Sequence, residues 1–388
     1  MRLGFVKMEI YLDNAATTKV SLGVVKKIQE YFIKDYGNPS SLHSIGINAK
    51  KELSKAREKI AKYIKVDASE IIFTSGGTES NNLALRGLAK ANPEKKHIVT
   101  SEIEHPSILE TCEDLEKDGY KIDYIKVNAD GIVDIKDIKG KISKDTLVVS
   151  VMHVNNEIGT IQPVEEIGKI CKKSKVYFHT DAVQGFVKVD LSLDNIDLLS
   201  VSGHKVNAPK GIGFLYVKKG TKISPIITGG GQENRLRSGT ENLPGIVGLA
   251  TALDIKHRKE DIKKSRDKII KELLKIPKTQ INGSMDKRVY NNINVSFYGI
   301  EGEGLMLMLD KDGIFVSTGS ACASTKLSES HVLKSLRIDE LYIHGSLRLT
   351  LGEDIFDNED YVVKKIKENV EKLREISPFK FDEEVENE

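Results

Sequence analysis

The chain reads as an α/β protein: a mixed, mostly parallel sheet flanked by helices, joined to a smaller α+β unit. Three observations predict it. From residue 71 onward, short β-branched or aromatic runs alternate with helical or loop stretches, the rhythm of a layered α/β fold. The runs are largely apolar, as strands covered on both faces are. The rhythm ends near residue 250, and a long, charge-laced helical stretch separates it from the strands beyond.

Strand character begins at Glu9-Ile10-Tyr11-Leu12, which makes Met8 a candidate start of the folded part. The small polar run Asp13-Asn14-Ala15-Ala16-Thr17-Thr18 then turns the chain. Ser21 is placed to cap a helix whose apolar face is Val24, Val25, Ile28, Tyr31 and Phe32. Gly37-Asn38-Pro39-Ser40-Ser41 ends it, and a second helix carries Leu53, Ala56, Ile60, Tyr63 and Ile64 on one stripe. Strands are expected at 71–73, 98–99, 124–127, 147–151, 176–178, 196–201 and 214–217. The helical stretch 255–274 is a candidate connector between domains. Beyond it, 291–297 and 346–350 read as strands and 361–373 as an amphipathic helix. The acidic tail 382–388 is expected to fray. Residues 18–258 are expected to form a large α/β domain, and residues 1–17 with 259–388 a small α+β domain.

At 388 residues the chain can bury a large core, and 39% apolar with 30% charged residues is ordinary for a globular protein. A net charge of +2 gives no general attraction to nucleic acid or membrane. The apolar runs fall well short of the ~20 residues of a membrane span. The first residues lack the apolar core of a secretory signal. Cys112, Cys171 and Cys322 are odd in number, widely spaced and without a CxxC pair, which argues against a disulfide framework and a zinc site. A reducing cytoplasm is the expected compartment.

Ligands of open α/β sheets bind beyond the carboxyl ends of the strands. After 71–73 come Thr74-Ser75-Gly76-Gly77-Thr78-Glu79-Ser80 and a helix, where glycines and free helix amides suit a phosphate. A Gly-rich turn with a Thr cap has the same composition, and the run matches neither the dinucleotide nor the nucleoside-triphosphate glycine pattern. His105 precedes Pro106 at a helix start, so its ring either caps the helix or projects over a ligand. Asp181 ends an apolar strand, where a carboxylate needs a cationic partner or a capping role. Lys205 closes Ser202-Gly203-His204-Lys205 at another strand end. An anion cradle, a ring-stacking histidine, a carboxylate and a lysine make up the inventory for pyridoxal phosphate. The neutral lysine amine this chemistry needs is favoured by a desolvated site near other cations. Far down the chain, Cys322 stands in the small, polar run from Val316 to Thr325, where an exposed thiolate is a candidate nucleophile. Cys112 and Cys171 lie among apolar neighbours on helical patterns and read as core.

With these motifs on hand, the sequence resembles the cysteine desulfurases of the fold-type I pyridoxal-phosphate superfamily, in the subgroup whose active cysteine lies in a long loop. The matches run in family order: Tyr11 to Thr18, Gly37 to Ser41, Thr74 to Asn81, Glu104-His105, Asn155 to Gly159, His179 to Gln184, Ser202 to Lys205, Arg237 to Thr240, and Gly319-Ser320-Ala321-Cys322. The resemblance implies that Lys205 binds the cofactor and then moves the Cα proton of the substrate. It pairs Asp181 with the pyridine nitrogen and Gln184 with the phenolic oxygen, while His105 stacks on the ring and relays protons. Gly77, Thr78, Ser202 and His204 are implied to hold the phosphate, with Thr240 reaching in from the other subunit of a homodimer. Asn156, also beside the cofactor, and Arg348 are implied to hold the carboxylate of L-cysteine. Cys322 would take the sulfur as a persulfide, leaving alanine, and deliver it to an acceptor such as an iron–sulfur scaffold protein or to tRNA or cofactor thiolation. No metal, membrane or direct nucleic-acid contact is implied.

Departures from the family pattern are few. Gly77 stands where alanine is common, Ala208 where glycine usually precedes Pro209, and the segment from Ser377 differs from the ending by which bacterial members engage a scaffold. Three alternatives carry different signatures. An aminotransferase of the same fold has no use for the thiol of Cys322, and a selenocysteine lyase needs the same groups as a desulfurase. A non-enzymatic sulfur carrier has no need for Lys205 and Cys322 together.

Overall fold

The computed structural model describes residues 9–318 and 329–379, so Met8, Cys322 and the acidic run 382–388 lie outside the described residues. The chain builds strands β1 (Ile10–Tyr11), β2 (Ile71–Thr74), β3 (His97–Ser101), β4 (Lys121–Ile125), β5 (Thr146–Ser150), β6 (Tyr177–Asp181), β7 (Leu198–Ser202) and β8 (Gly213–Val217). It continues with β9 (Thr279–Ile281), β10 (Asn292–Phe297), β11 (Ile314–Phe315) and β12 (Ser346–Thr350). Seven of these form one sheet in the order β2-β8-β7-β6-β5-β3-β4. Only β8 runs against its neighbours, so the other six present their carboxyl ends along one edge.

The apolar runs make this sheet its own core. Strands β2, β3, β5, β7 and β8 are buried at every position, and helices cover both faces. Phe178 and Phe214 are fully enclosed, each removal from water contributing roughly 1.5–3 kcal/mol. Cys112 and Cys171 are buried free thiols, pushed up to about 12 chiefly by burial. They are packing residues, as expected.

Differences from the sequence pattern have physical reasons. The strand expected at 124–127 begins earlier, at Lys121, because the register His97↔Lys121 to Ser101↔Ile125 makes β4 an edge strand. Edge strands tolerate polar positions, and Asp123 there pairs with His97 and Lys121. Ser21 occupies the cap position of the helix Leu22–Ile33, but its side chain makes no capping bond. That helix buries Val24 and Tyr31 and leaves Phe32 66% and Ile33 80% exposed. The helix within 255–274 spans Lys259–Leu273, and it does more than bridge. Its Ile262, Ile269, Ile270 and Leu273 pack with Ile293, Val295, Leu347 and Leu349 in a second core on the antiparallel sheet β12-β10-β9.

Ile10 and Leu12 join this second core through the parallel pair β1–β11. The chain's beginning is thereby clamped beside β12, with Asp13 bridging to Thr350. Val332, Leu333, Leu336 and Ile343 pack instead into the core of the seven-stranded sheet. Among the described residues, no helix is long and apolar enough to cross a membrane.

Candidate active site

The common carboxyl edge of the sheet gathers most of the expected side chains. At the end of β2, Gly76 adopts φ 154°, a backbone region essentially closed to residues with a side chain. The helix Gly77–Ala91 starts immediately after it. Its first amides have no partner within the helix and point outward as donors. A methyl on Gly77 would stand 2.7 Å from Val183 Cγ2, so valine fills the space that the family's usual alanine would need. Ser202, at the end of β7, puts its hydroxyl 3.5 Å from where a side chain on Gly76 would begin. The helix start at Gly77 and the Ser202 side chain thus lie side by side, the arrangement an anion cradle needs.

The turn after β7 carries His204 and Lys205. The carbonyl of His204 accepts from the amide and hydroxyl of Thr18 at 2.8 and 2.9 Å, and its Nδ1 lies 3.2 Å from Thr17 Oγ1. Lys205 Nζ donates to the carbonyls of Ala15 and Ala16 at 2.5 and 2.7 Å. The turn Asp13–Thr18 therefore wraps the lysine. Burial first, and then Lys205, Lys210 and Lys188, hold His204 down at about 4, so the ring is neutral at ordinary pH.

Asp181 ends β6 and is buried. One oxygen accepts the Val183 amide at 2.9 Å, and the other accepts Asn81 Nδ2 at 2.7 Å. The same Asn81 nitrogen reaches Ser107 Oγ at 2.9 Å. His105 caps the helix Pro106–Lys117, with Nδ1 accepting the Ser107 amide at 3.1 Å, so its proton in the neutral form sits on Nε2. Burial lowers its pKa, the charge of Asp181 raises it and that of Lys205 lowers it. His105, Asp181 and Lys205 are therefore within electrostatic reach of one another. Both His105 and Asp181 hold the backbone two residues on, His105 as a helix cap and Asp181 through the Val183 amide.

Gln184 Nε2 donates to the Ala15 carbonyl at 2.9 Å, and its Oε1 accepts from Lys188 Nζ at 3.0 Å. Arg348, on β12 and 3% exposed, pairs with Asp13 at 2.9 Å and donates to the Asn156 carbonyl at 3.2 Å. Its Nε is buried and has no hydrogen-bond partner among the described residues, an unspent donor of the kind a carboxylate satisfies. Thr240 is exposed on the surface. Cys322 lies outside the described residues, but the chain on either side of 319–328 meets the site. Ser317 exchanges backbone hydrogen bonds with Arg348, Ser330 Oγ donates to Glu157 Oε2 at 2.5 Å, and His331 Nε2 donates to the Glu104 carbonyl at 3.0 Å.

The family model described as aminotransferase class-V matches residues 10–348. The chain belongs to that family. Within this class-V family it groups with the cysteine desulfurases. It is 48% identical over 379 residues to the "Cysteine desulfurase IscS" of Methanosarcina thermophila, covering 95% of this chain and 94% of that one. Among solved structures, one titled "NIFS-LIKE PROTEIN" superposes with TM-score 0.89 at 39% identity, covering 94% of this chain and all of the other. Another, titled "SspA in complex with cysteine", gives TM-score 0.81 at 37% identity over 88% of this chain and 99% of its own. The fold is that of the family's pyridoxal-phosphate enzymes, and the residues fit the cofactor on their own chemistry. The positive-φ Gly76 before a helix start suits a phosphate, the buried Asp181 carboxylate suits a protonated ring nitrogen, and Lys205 suits an aldehyde.

Three contributors escape a residue-by-residue reading of the sequence. Asn81 orients Asp181 from a helix 100 positions away in sequence, which only the fold reveals. Asp13 pairs with Arg348 across 335 positions. Lys188 is more legible: a lone cation inside Gly185-Phe186-Val187-Lys188-Val189 is unusual in an apolar run.

Proposed function

We propose that the side chains on this edge carry out cysteine desulfuration, in which L-cysteine gives L-alanine and its sulfur passes to Cys322. The observation that carries the proposal is the convergence of Lys205, Asp181 and the Gly76–Gly77 cradle on one edge of the sheet. Pyridoxal phosphate, when bound, supplies an aldehyde that captures amines and a ring that withdraws electrons from the substrate Cα. The amides of Gly77 and Thr78, the Ser202 hydroxyl and the His204 ring would hold its phosphate. Asp181, fixed by its bonds to Asn81 and Val183, would keep a proton on the ring nitrogen. His105 would lie against the ring and relay a proton through Nε2. Lys205 would hold the aldehyde carbon and carry the substrate Cα proton on Nζ. Arg348 and Asn156 hold the substrate carboxylate. Cys322 accepts the sulfur: its thiolate would attack the substrate sulfur to form the S–S bond, the C–S bonding pair would stay with Cβ, which takes up a proton released by the two thiols, and the carbon skeleton would leave as alanine.

Further parts of the proposal concern assembly. The exposed apolar side chains Leu22, Phe32, Ile33, Tyr36 and Leu42 support a homodimer, through which Thr240 would reach the partner's cofactor. The acceptor is a sulfur-receiving protein of the iron–sulfur scaffold kind, or a thiolation pathway, in the cytoplasm. The chain divides into a large domain, 18–258, and a small one formed by 1–17 with 259–388.

The test begins with cofactor. Protein reconstituted with pyridoxal phosphate should show visible absorption, and borohydride reduction followed by peptide mapping should mark Lys205. Given L-cysteine and a thiol reductant, it should then yield alanine and sulfide in equal amounts. Label on another lysine would overturn the site assignment, and alanine without sulfide would overturn the reaction.

A further inference from the structure

Lys188 is buried to about nine-tenths, yet no step above uses it. Its Nζ donates to Gln184 Oε1 at 3.0 Å, while Gln184 Nε2 donates to the Ala15 carbonyl at 2.9 Å. An ammonium group has only donors and a peptide carbonyl only accepts, so the amide is held in one of its two orientations from both ends. Its second N–H remains for a ligand. The same Ala15 carbonyl accepts Lys205 Nζ, which places the amide nitrogen beside the reactive amine. The preceding residue, Val187, adopts φ 57°, a left-handed backbone that a β-branched side chain rarely takes. The backbone there is bent against local preference, and the residue it delivers is Lys188.

We propose that Lys188 is a positioning residue that locks the Gln184 amide with its nitrogen towards the phenolic oxygen of the cofactor, a role that presupposes the cofactor site proposed above. Burial and the charge of Lys205 hold Lys188 down at about 7, and an anionic oxygen close to Gln184 shifts it back towards its charged, donating form. His204 and His257 feel the same ammonium. A merely space-filling lysine would need neither the hydrogen bond nor the bend. An N–H facing the phenolic oxygen stabilises its anion; an amide turned the other way opposes it. Releasing the amide therefore raises the pH at which the bound cofactor's visible band titrates.

The experiment titrates that band from pH 6 to 10 in the wild type and in Lys188→Met, Lys188→Leu and Lys188→Gln, with cofactor affinity and melting temperature measured alongside. Loss of one donor to an anion is expected to move the midpoint up by about one pH unit, a tenfold change in the proton equilibrium, in both non-donor variants. Lys188→Gln keeps a neutral donor and should titrate within a few tenths of a unit of the wild type. In a Gln184→Met background, Lys188→Met should add nothing. Unchanged midpoints in Lys188→Met and Lys188→Leu would overturn the proposal. So would equal displacement in Lys188→Gln and Lys188→Met, which would make the effect one of charge alone. Absence of any visible band in the wild type would instead sink the cofactor site itself, so the two failures are distinguishable.

Discussion

Asn81→Asp replaces the amide that steadies Asp181 with a carboxylate of the same shape. The native Nδ2 donates to Asp181 Oδ2 at 2.7 Å, and both residues are buried. Two carboxylates at that separation repel by about 6 kcal/mol at an effective dielectric of about 20. Each pH unit of proton binding offsets only about 1.4 kcal/mol, so the folded pair keeps one proton through neutrality while the unfolded chain releases both. The folded pair thus binds its proton more tightly than the unfolded chain does. Its stability relative to wild type is then highest in acid and is lost as pH rises above the ordinary carboxylate range. Calorimetric melting of the cofactor-free protein should show the variant falling progressively behind wild type from pH 5 to 8. Because the pair shares its proton, Asp181 itself carries the charge only part of the time, so cofactor affinity at pH 8 should fall. Melting curves that stay parallel across this range, with unchanged affinity, would refute the assigned contact.

Other outcomes follow from the same geometry. Cys322→Ala should keep cofactor absorbance and cysteine binding but release almost no sulfide; undiminished release measured colorimetrically would remove Cys322 from the reaction. Arg348→Lys loses the planar fork and its free Nε, so KM for cysteine should rise about tenfold or more while cofactor absorbance stays intact. Burial pushes Glu157 up from 4.5 to about 7 and Glu104 from 4.5 to about 8, and it pushes His153 and His179 down from 6.5 to about 4 and 3. The raised carboxyls contribute stability that is full below about pH 4.5 and lost as pH climbs through 7 to 8. The depressed histidines contribute stability that is full above about pH 6.5 and lost as pH falls through 4 to 3. Glu157→Gln should therefore soften the fall in melting temperature of the cofactor-free protein between about pH 4.5 and 7, relative to wild type.

Much of the fold is legible because its strands are buried on both faces and so stand out as uninterrupted apolar runs. Ile71, Val148, Phe178 and Leu215 needed no partner to be recognised. Legibility fails where pairing, not composition, makes the strand. β11 is two residues long and exists because β1 lies beside it, and β4 starts at an exposed lysine because β3 supplies its register. The candidate site divides in the same way. Asp181 ends a strand, His105 opens a helix and Lys205 stands in the turn just after a strand, so their positions are local facts. The contacts that tune them are not local: Asn81 to Asp181, Asp13 to Arg348 and Ser330 to Glu157 join residues from 100 to 335 positions apart. Phe32 shows the converse error. Its place on an apolar helical stripe predicts that it is covered, yet it is 66% exposed.

The charge pattern at the strand edge argues for an anionic ligand independently of any motif. Burial weakens the proton affinity of the basic groups at this edge: His204 is held at about 4 and Lys188 at about 7, and His105 is also lowered. A site meant to be permanently neutral would have replaced these residues with apolar ones, since a buried base without a partner costs stability. A site meant to pair them internally would have surrounded them with carboxylates, yet Asp181 is already committed to Asn81 and the Val183 amide. What remains is a set of bases that regain affinity for protons only when an anion arrives among them. By linkage, an anion that raises their proton affinity is itself bound more tightly as they charge. The phosphate and phenolic oxygen of a cofactor bound as proposed would meet that condition at two points, beside His204 and at the amide held by Lys188.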